Sequence, residues 1–529
     1  MVRQGKNGGS NCGTAKGRRS YVNAWWMVLV GTFAAIAVKL SAATFYVDAS
    51  KGNDANDGLS PTNAWQSMGK VNQASLRGGD RVLFCRGKVW REPLTPAASG
   101  APGNQLVFGA YGEGPKPMIN GANVATNWVR VPSATGIWQT AWSEKPYAAF
   151  FDGQPGVEKT STVELSEPGD WCWQDQTLRV WCTQAPAETY RNPGIEACAR
   201  HFCVRAEGQH DLVFENLAIS QGGNHLKDWY QFGLKSCRDI LIRDCDFTRS
   251  ATKHISIWED IGNTTIEGCS FSDTGLSRCP GNLVPAFDAI AVGTSLANHD
   301  HFTTLVERCT FRNIHSYGGG AHHGHGVYVR NGKLVWRYNF HYGDSVWHAG
   351  SAVRLATAVP AEIYGNLFTA IGGVRYWGLC VTTGRQHRVF NNLFHNCWYP
   401  IFADTGESGL TVKNNIFYWS ERGIQVRIFD LQRGAANWES DFNCFYNAGG
   451  DYAFTFGPGR DLSSLEAWKS ATRQDAHSLC VDPLFVAPAT GDFHLTVKSA
   501  LRRAGTDIGL NRDREGVETM PGTRPDIGP

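Results

Sequence analysis

The chain has almost no charge of either sign to spare. Fifty Lys and Arg stand against 48 Asp and Glu, the net charge is +2, and only 19% of residues are charged. That balance leaves no excess with which to hold a polyanion, so nucleic acid is not an expected partner. No Cys-x-x-Cys pair occurs, which removes the commonest sign of a zinc site. The one sustained apolar run, Ala24 to Val38, is short for a membrane span. Between residues 212 and 446 there is also no apolar stripe at helical spacing.

What remains is plentiful in turn formers and rings. The 529 residues include 59 Gly, 19 Trp, 16 Tyr and 27 Phe, a composition suited to a turn-rich β fold. Some of those rings are core, and others are of the kind that sugars stack on. Arg18 and Arg19 precede the apolar run, and Ser41-Ala42-Ala43 offers a cleavage site before Thr44. Residues 1–43 therefore read as an export leader, with an uncleaved anchor as the alternative. The expected location is secreted or periplasmic, with no stable membrane insertion after cleavage. Export permits disulfides, and 14 of the 15 Cys lie beyond the leader. Cys172 and Cys182 flank an apparent hairpin and are candidates to pair across it; connectivity in general is not readable from spacing.

From Leu212 to Tyr446 one pattern returns: an apolar residue, two loose positions, Cys or Asn, one more position, then Phe. It ends at Ile219, Phe247, Phe271, Phe311, Phe340, Phe368, Phe394, Phe417 and Phe445. The period is about 26 residues with one longer step, and units of this size bury their apolar faces only by stacking. Each period holds short apolar runs broken by Gly, Asn and Asp. The fold expected is all-β: a single-stranded right-handed parallel β-helix with three short sheets per coil. Coils then sit ~4.8 Å apart. One position stacks on itself as Leu217, Cys245, Cys269, Cys309, Tyr338, Asn366, Asn392, Asn415 and Asn443. Its Asn residues form a hydrogen-bonded ladder, and its Cys residues read as stacked small apolar groups.

Around these repeats the chain divides at 44–127 (cap and first coils), 128–198 (aromatic-rich β insertion), 199–447 (repeats) and 448–529 (closing segment). A short helix around Gln66 to Leu76 is expected to cover an open end of the solenoid. The loop GNDANDG offers oxygens of the kind Ca²⁺ takes, with an Asx-rich turn as the alternative.

The opening segment from Phe45, the stretch APGNQLVFGAYGEGPKPMINGA, the Asn ladder and the tail DAHSLCVDPLFVAPATGDFHL together resemble the secreted β-helix proteins of the pectate-lyase-like superfamily. The resemblance covers most of residues 44–529. It implies the fold and export, and a choice among polysaccharide lyases, glycoside hydrolases, uronate epimerases and non-catalytic adhesins. The tail departs from the family's usual run at Ser499-Ala500-Leu501-Arg502-Arg503. The expected partner is an extracellular or cell-wall polysaccharide, met by a monomer.

Alternation in the first strand of each coil points Phe202/Val204, Ile255/Ile257, Val327/Val329, Val353/Leu355 and, last, Ile424/Val426 inward. Their neighbours face out. One outward row then runs from Cys203 through Ala291, Tyr328, Arg354 and Cys380 to Gln425, and the next includes Lys235, Trp258, Arg330 and Asp404. The polar centre of this face holds His322, His323, His325, Tyr328 and Arg330. The following coils add Asp344, His348 and Arg354, then Arg375, Tyr376 and Trp377. β-Elimination of a uronate needs a base, an acid and a cation on the carboxylate. Arg354 or His325 is the candidate base, Tyr328 the acid and Arg330 the neutraliser. His323, Asp344, His348, Arg375, Tyr376, Trp377, Trp258 and Lys235 are the candidate substrate contacts. No carboxylate set accompanies the histidines, so no metal ligand is assigned. Hydrolysis needs two carboxyl groups ~5–9.5 Å apart. Asp288 and Asp404 are four coils apart, so hydrolysis would have to recruit loop acids such as Asp344, Glu259 or Asp260. A carbohydrate-binding adhesin is the non-catalytic alternative.

Overall fold

A computed structural model describes residues 42–223, 230–276, 288–293, 301–314, 324–343, 350–370, 376–384, 386–403, 409–420, 427–431, 438–449, 453–456, 460–510, 512–518 and 523–529. Residues 1–41 of the expected leader lie outside these residues. Three long sheets carry the fold, of 12, 11 and 11 strands, and their successive strands come from successive coils. All but one of their pairings are parallel, the exception closing one end. This is a parallel β-helix, as the repeat predicts, with one continuous apolar core from Val47 to Trp468.

The stacked columns explain why this sequence winds rather than folding flat. Phe247, Phe271 and Phe311 lie ring on ring, with centroids 4.9 and 4.7 Å apart and planes within 7°. Phe394, Phe417 and Phe445 repeat the arrangement at 5.1 Å. Beside the rings runs the ladder. Each Asn side chain accepts the backbone N–H of the preceding rung and donates to a carbonyl below: Asn392 Oδ1 takes the Asn366 N–H at 3.0 Å, and its Nδ2 reaches the Ile363 carbonyl at 2.9 Å. The rung between Cys309 and Asn366 is Asn339 and not Tyr338. Tyr338 turns out with φ +58°, and His341 fills the ring column where Phe340 was expected, 5.6 Å from Phe311. Cys245, Cys269 and Cys309 continue the column as free thiols facing backbone carbonyls.

Both ends are covered. Ser67 caps a helix over Met68–Gln73, whose Met68 and Val71 enter the core. At the other end a helix over Leu465–Thr472 lays Trp468 against Phe454, with centroids 5.0 Å apart. In GNDANDG, Asp54 accepts the N–H groups of Gln66 and Ser67 and the Ser67 hydroxyl. The Asx turns of this loop are at Asn53 and Asp57, which accept the N–H groups of Ala55 and Leu59.

The insertion is a five-stranded sheet, antiparallel but for one edge pairing, and a smaller four-stranded one around their own core, entered at Ala122–Val124 and left at Ile195–Cys198. Its Trp residues pack on that core, save Trp181, which packs on Ile137, Leu165 and Cys172. The expected Cys172–Cys182 pairing does not form. A tight turn at Asp175 and Gln176, both at positive φ, sets Cys172 opposite Arg179, and both thiols are free.

Three interior histidines make a testable consequence. Burial pulls His254 down to about 3 and His395 to about 4, and lowers His387 as well. Unfolded, such rings take up protons near pH ~6.5. Folded-state values below that mean their contribution to stability is full above the unfolded value and is lost as the pH falls through the folded one. Thermal melts should therefore lose Tm steadily from about pH 6.5 towards pH 4; a flat Tm over that window would contradict the placement.

Candidate functional site

The outward face of one 11-stranded sheet brings the candidate residues together. Its register aligns Ser256, Ala291, Tyr328, Arg354, Cys380 and Phe402 in consecutive coils. At the first coil Arg205, not Cys203, aligns with Gly233, because Val204 and Ala206 are the buried pair. In the last, Phe429 and Leu431 stand opposite Ile401 and Ala403. Ile424, Gln425 and Val426 lie outside the described residues.

Tyr328 stands next to Arg354, as its spacing requires. The Arg354 guanidinium lies 5.0 Å from the Tyr328 ring centre and that of Arg330 lies 4.9 Å from it. Two cations over one ring hold it by cation–π attraction. His325, 1% exposed, sits beside the ring at 5.8 Å.

His325 meets a donor at each ring nitrogen. The Ser351 backbone N–H donates to Nδ1 at 2.9 Å, and an amide can only donate. Arg354 Nη1, which also can only donate, faces Nε2 at 3.3 Å. The buried ring thereby holds the Arg354 guanidinium beside Tyr328.

Two residues of the cluster escape the alternation rule. Asp288 is fully buried, accepts the His325 N–H at 3.2 Å through Oδ1, and has no partner for Oδ2 among the described residues. Lys253 precedes it by one coil in the same row, since Ile255 aligns with Ile290. Burial lowers the Lys253 ammonium; Asp288 pulls the other way and Arg330 adds to the lowering. Between Lys253 and Tyr328 the floor is made of the small side chains Ser256 and Ala291.

The remaining candidates divide. Trp377 faces out and stacks on Phe402 at 4.8 Å. Trp258 lies 4.8 Å from Tyr230, and Lys235 pairs with Glu259 at 3.4 Å, both upstream on the row of Arg330. Tyr376 is a correction. It is buried in the core, its hydroxyl 2.6 Å from His341 Nδ1, and cannot meet a polymer. Tyr376→Phe should cost about 1–2 kcal/mol in chemical denaturation while leaving turnover per folded molecule unchanged; a selective loss of turnover would restore it to the site. His322, His323, Asp344, His348, Arg375 and Asp404 lie outside the described residues. Among the described residues no three potential ligands gather to hold a metal.

No protein-family model matches the chain, and no curated protein does. Solved structures do. A complex of XylC with xylose aligns over 92% of this chain and 98% of its own, with TM-score 0.58 and 12% identity. A structure described as a glycoside hydrolase aligns over 82% and 99%, with TM-score 0.51 and 12% identity. Pectate lyase Pel9A covers 92% and 96% at TM-score 0.49 and 12% identity. At such identities the likeness establishes the fold.

Proposed function

We propose that the protein is an exported enzyme cleaving a uronate-containing polysaccharide by β-elimination. The observation that carries this is the Arg354 guanidinium held beside Tyr328, its Nη1 3.3 Å from His325 Nε2. A guanidinium so placed suits a carboxylate, and the charge that develops on it as the neighbouring proton leaves. Lys253, lowered by burial, is the base that removes the proton from the carbon beside the carboxylate. The electron pair moves to form the double bond as the bond to the glycosidic oxygen breaks, and Tyr328 gives that oxygen its proton. Lys253 and Tyr328 then exchange protons with solvent to reset. Arg330 holds the Tyr328 ring from the other side.

Hydrolysis on the same face is the second reading, favoured by the likeness to a glycoside hydrolase fold and by the buried Asp288. It needs two carboxyl groups, and among the described residues of this sheet the buried Asp288 is the one carboxylate within one coil of Tyr328. Free and methyl-esterified forms of one polyuronate discriminate between ligands. The free acid should be turned over about a hundredfold better, and Arg354→Ala should erase most of that preference. Equal rates on both forms would remove the carboxylate clamp.

A further inference from the structure

The insertion and the start of the solenoid enclose a second cavity, away from Tyr328. Its volume is about 330 Å³, within the range of small-ligand sites, and Trp142, Glu144, Lys145, Tyr147, Arg200 and His201 line it. Lys145 is neutralised by Glu158 at 2.7 Å. Arg200 is different. Its Nη2 donates to Asn123 Oδ1 at 2.7 Å, whereas the enclosed Nη1 has no hydrogen-bond partner among the described residues. An enclosed guanidinium nitrogen left in this way is costly unless an acceptor arrives, and burial already presses the Arg200 charge downward. Glu144 supplies an acceptor, which a polyhydroxy compound uses and a simple anion does not.

His201, in the lining, precedes Phe202, whose ring lies 6.4 Å from that of Tyr230. Tyr230 stands opposite Lys253 and 4.8 Å from Trp258, so packed rings connect the cavity lining to the coil of Lys253.

We infer that this cavity is a remote subsite for one acidic sugar unit, its carboxylate on Arg200, its ring on Trp142 and a hydroxyl on Glu144. The inference rests on the uronate reading of the groove. The insertion then anchors a polymer several coils upstream of the bond that breaks.

Calorimetric titration with galacturonate, glucuronate, mannuronate, galactose and acetate tests this, using the full chain carrying Arg354→Ala so that the groove clamp is absent. At least one acidic sugar should still bind, and adding Arg200→Gln should weaken it by about tenfold or more. Trp142→Ala should weaken it too, which guards against a misfolded Arg200 variant; circular dichroism and melting check both. Galactose and acetate should give no saturable heat. The inference is overturned if no acidic sugar binds, if both substitutions leave binding within about twofold, or if galactose or acetate binds equally well. Arg200-dependent binding in a protein that cleaves no polyuronate would sink the groove reading and keep the subsite. Cleavage without that binding would do the reverse.

Discussion

Replacing Lys253 by Met should reduce release of unsaturated product by about a thousandfold, the scale of a lost general base. The side chain keeps its length and apolar stem, so the melting temperature should hold. The pH profile carries the finer test. A lysine acts as base only when neutral, so the rate should rise with pH through the Lys253 titration. Burial and Arg330 set that limb below the ordinary lysine range. Lys253→Arg should be as inactive as Met, because a guanidinium keeps its proton. Activity within about threefold of the parent in Lys253→Met would move the base elsewhere on the face.

The second large effect is on stability. Asn392→Ala should cost about 3–5 kcal/mol, more than an ordinary surface change by an order of magnitude. The side chain accepts from the Asn366 backbone and side chain and donates to Ile363 and Asn415, all inside the core. Alanine leaves a buried amide and a buried carbonyl without partners and opens a void between Asn366 and Asn415. Cys269→Ala, in the same column, loses only a thiol facing the Ile242 carbonyl and should cost about 1–2 kcal/mol. Denaturant melts of the pair read the difference. Equal losses would mean that the amide ladder adds nothing beyond packing.

Much of this solenoid is legible in the amino-acid sequence, because each coil repeats the same demand. Stacked Phe rings and in-register Asn amides need identical neighbours, so the column is written nine times over. Where the column substitutes one residue type for another, the pattern misleads. His341 takes a Phe place, and a motif seeking Phe settles on Phe340 and carries the rung to Tyr338. The centre of the face is equally readable, since strict alternation at Val327–Val329 and Val353–Leu355 exposes Tyr328 and Arg354. At the leading edge of the sheet alternation fails. His254 and Ile255 both turn inward, as do Ala289 and Ile290. His254 fits against the Phe247 and Phe271 rings at 6.2 and 5.8 Å. Lys253, just before, is thereby returned to a partly exposed position where a period of two does not look for it, while Asp288 stays fully buried. The pairing of His325 with an amide 26 residues away is beyond sequence altogether.

The most direct measurement is the mass of the fragments released when the protein is incubated with a panel of polyuronates. Elimination predicts fragments lighter by one water than the hydrolytic products, each bearing an unsaturated end, and none from Arg354→Ala. Fragments of full hydrolytic mass, or unsaturated ones made equally well by Arg354→Ala, would contradict β-elimination at the Tyr328–Arg354 face.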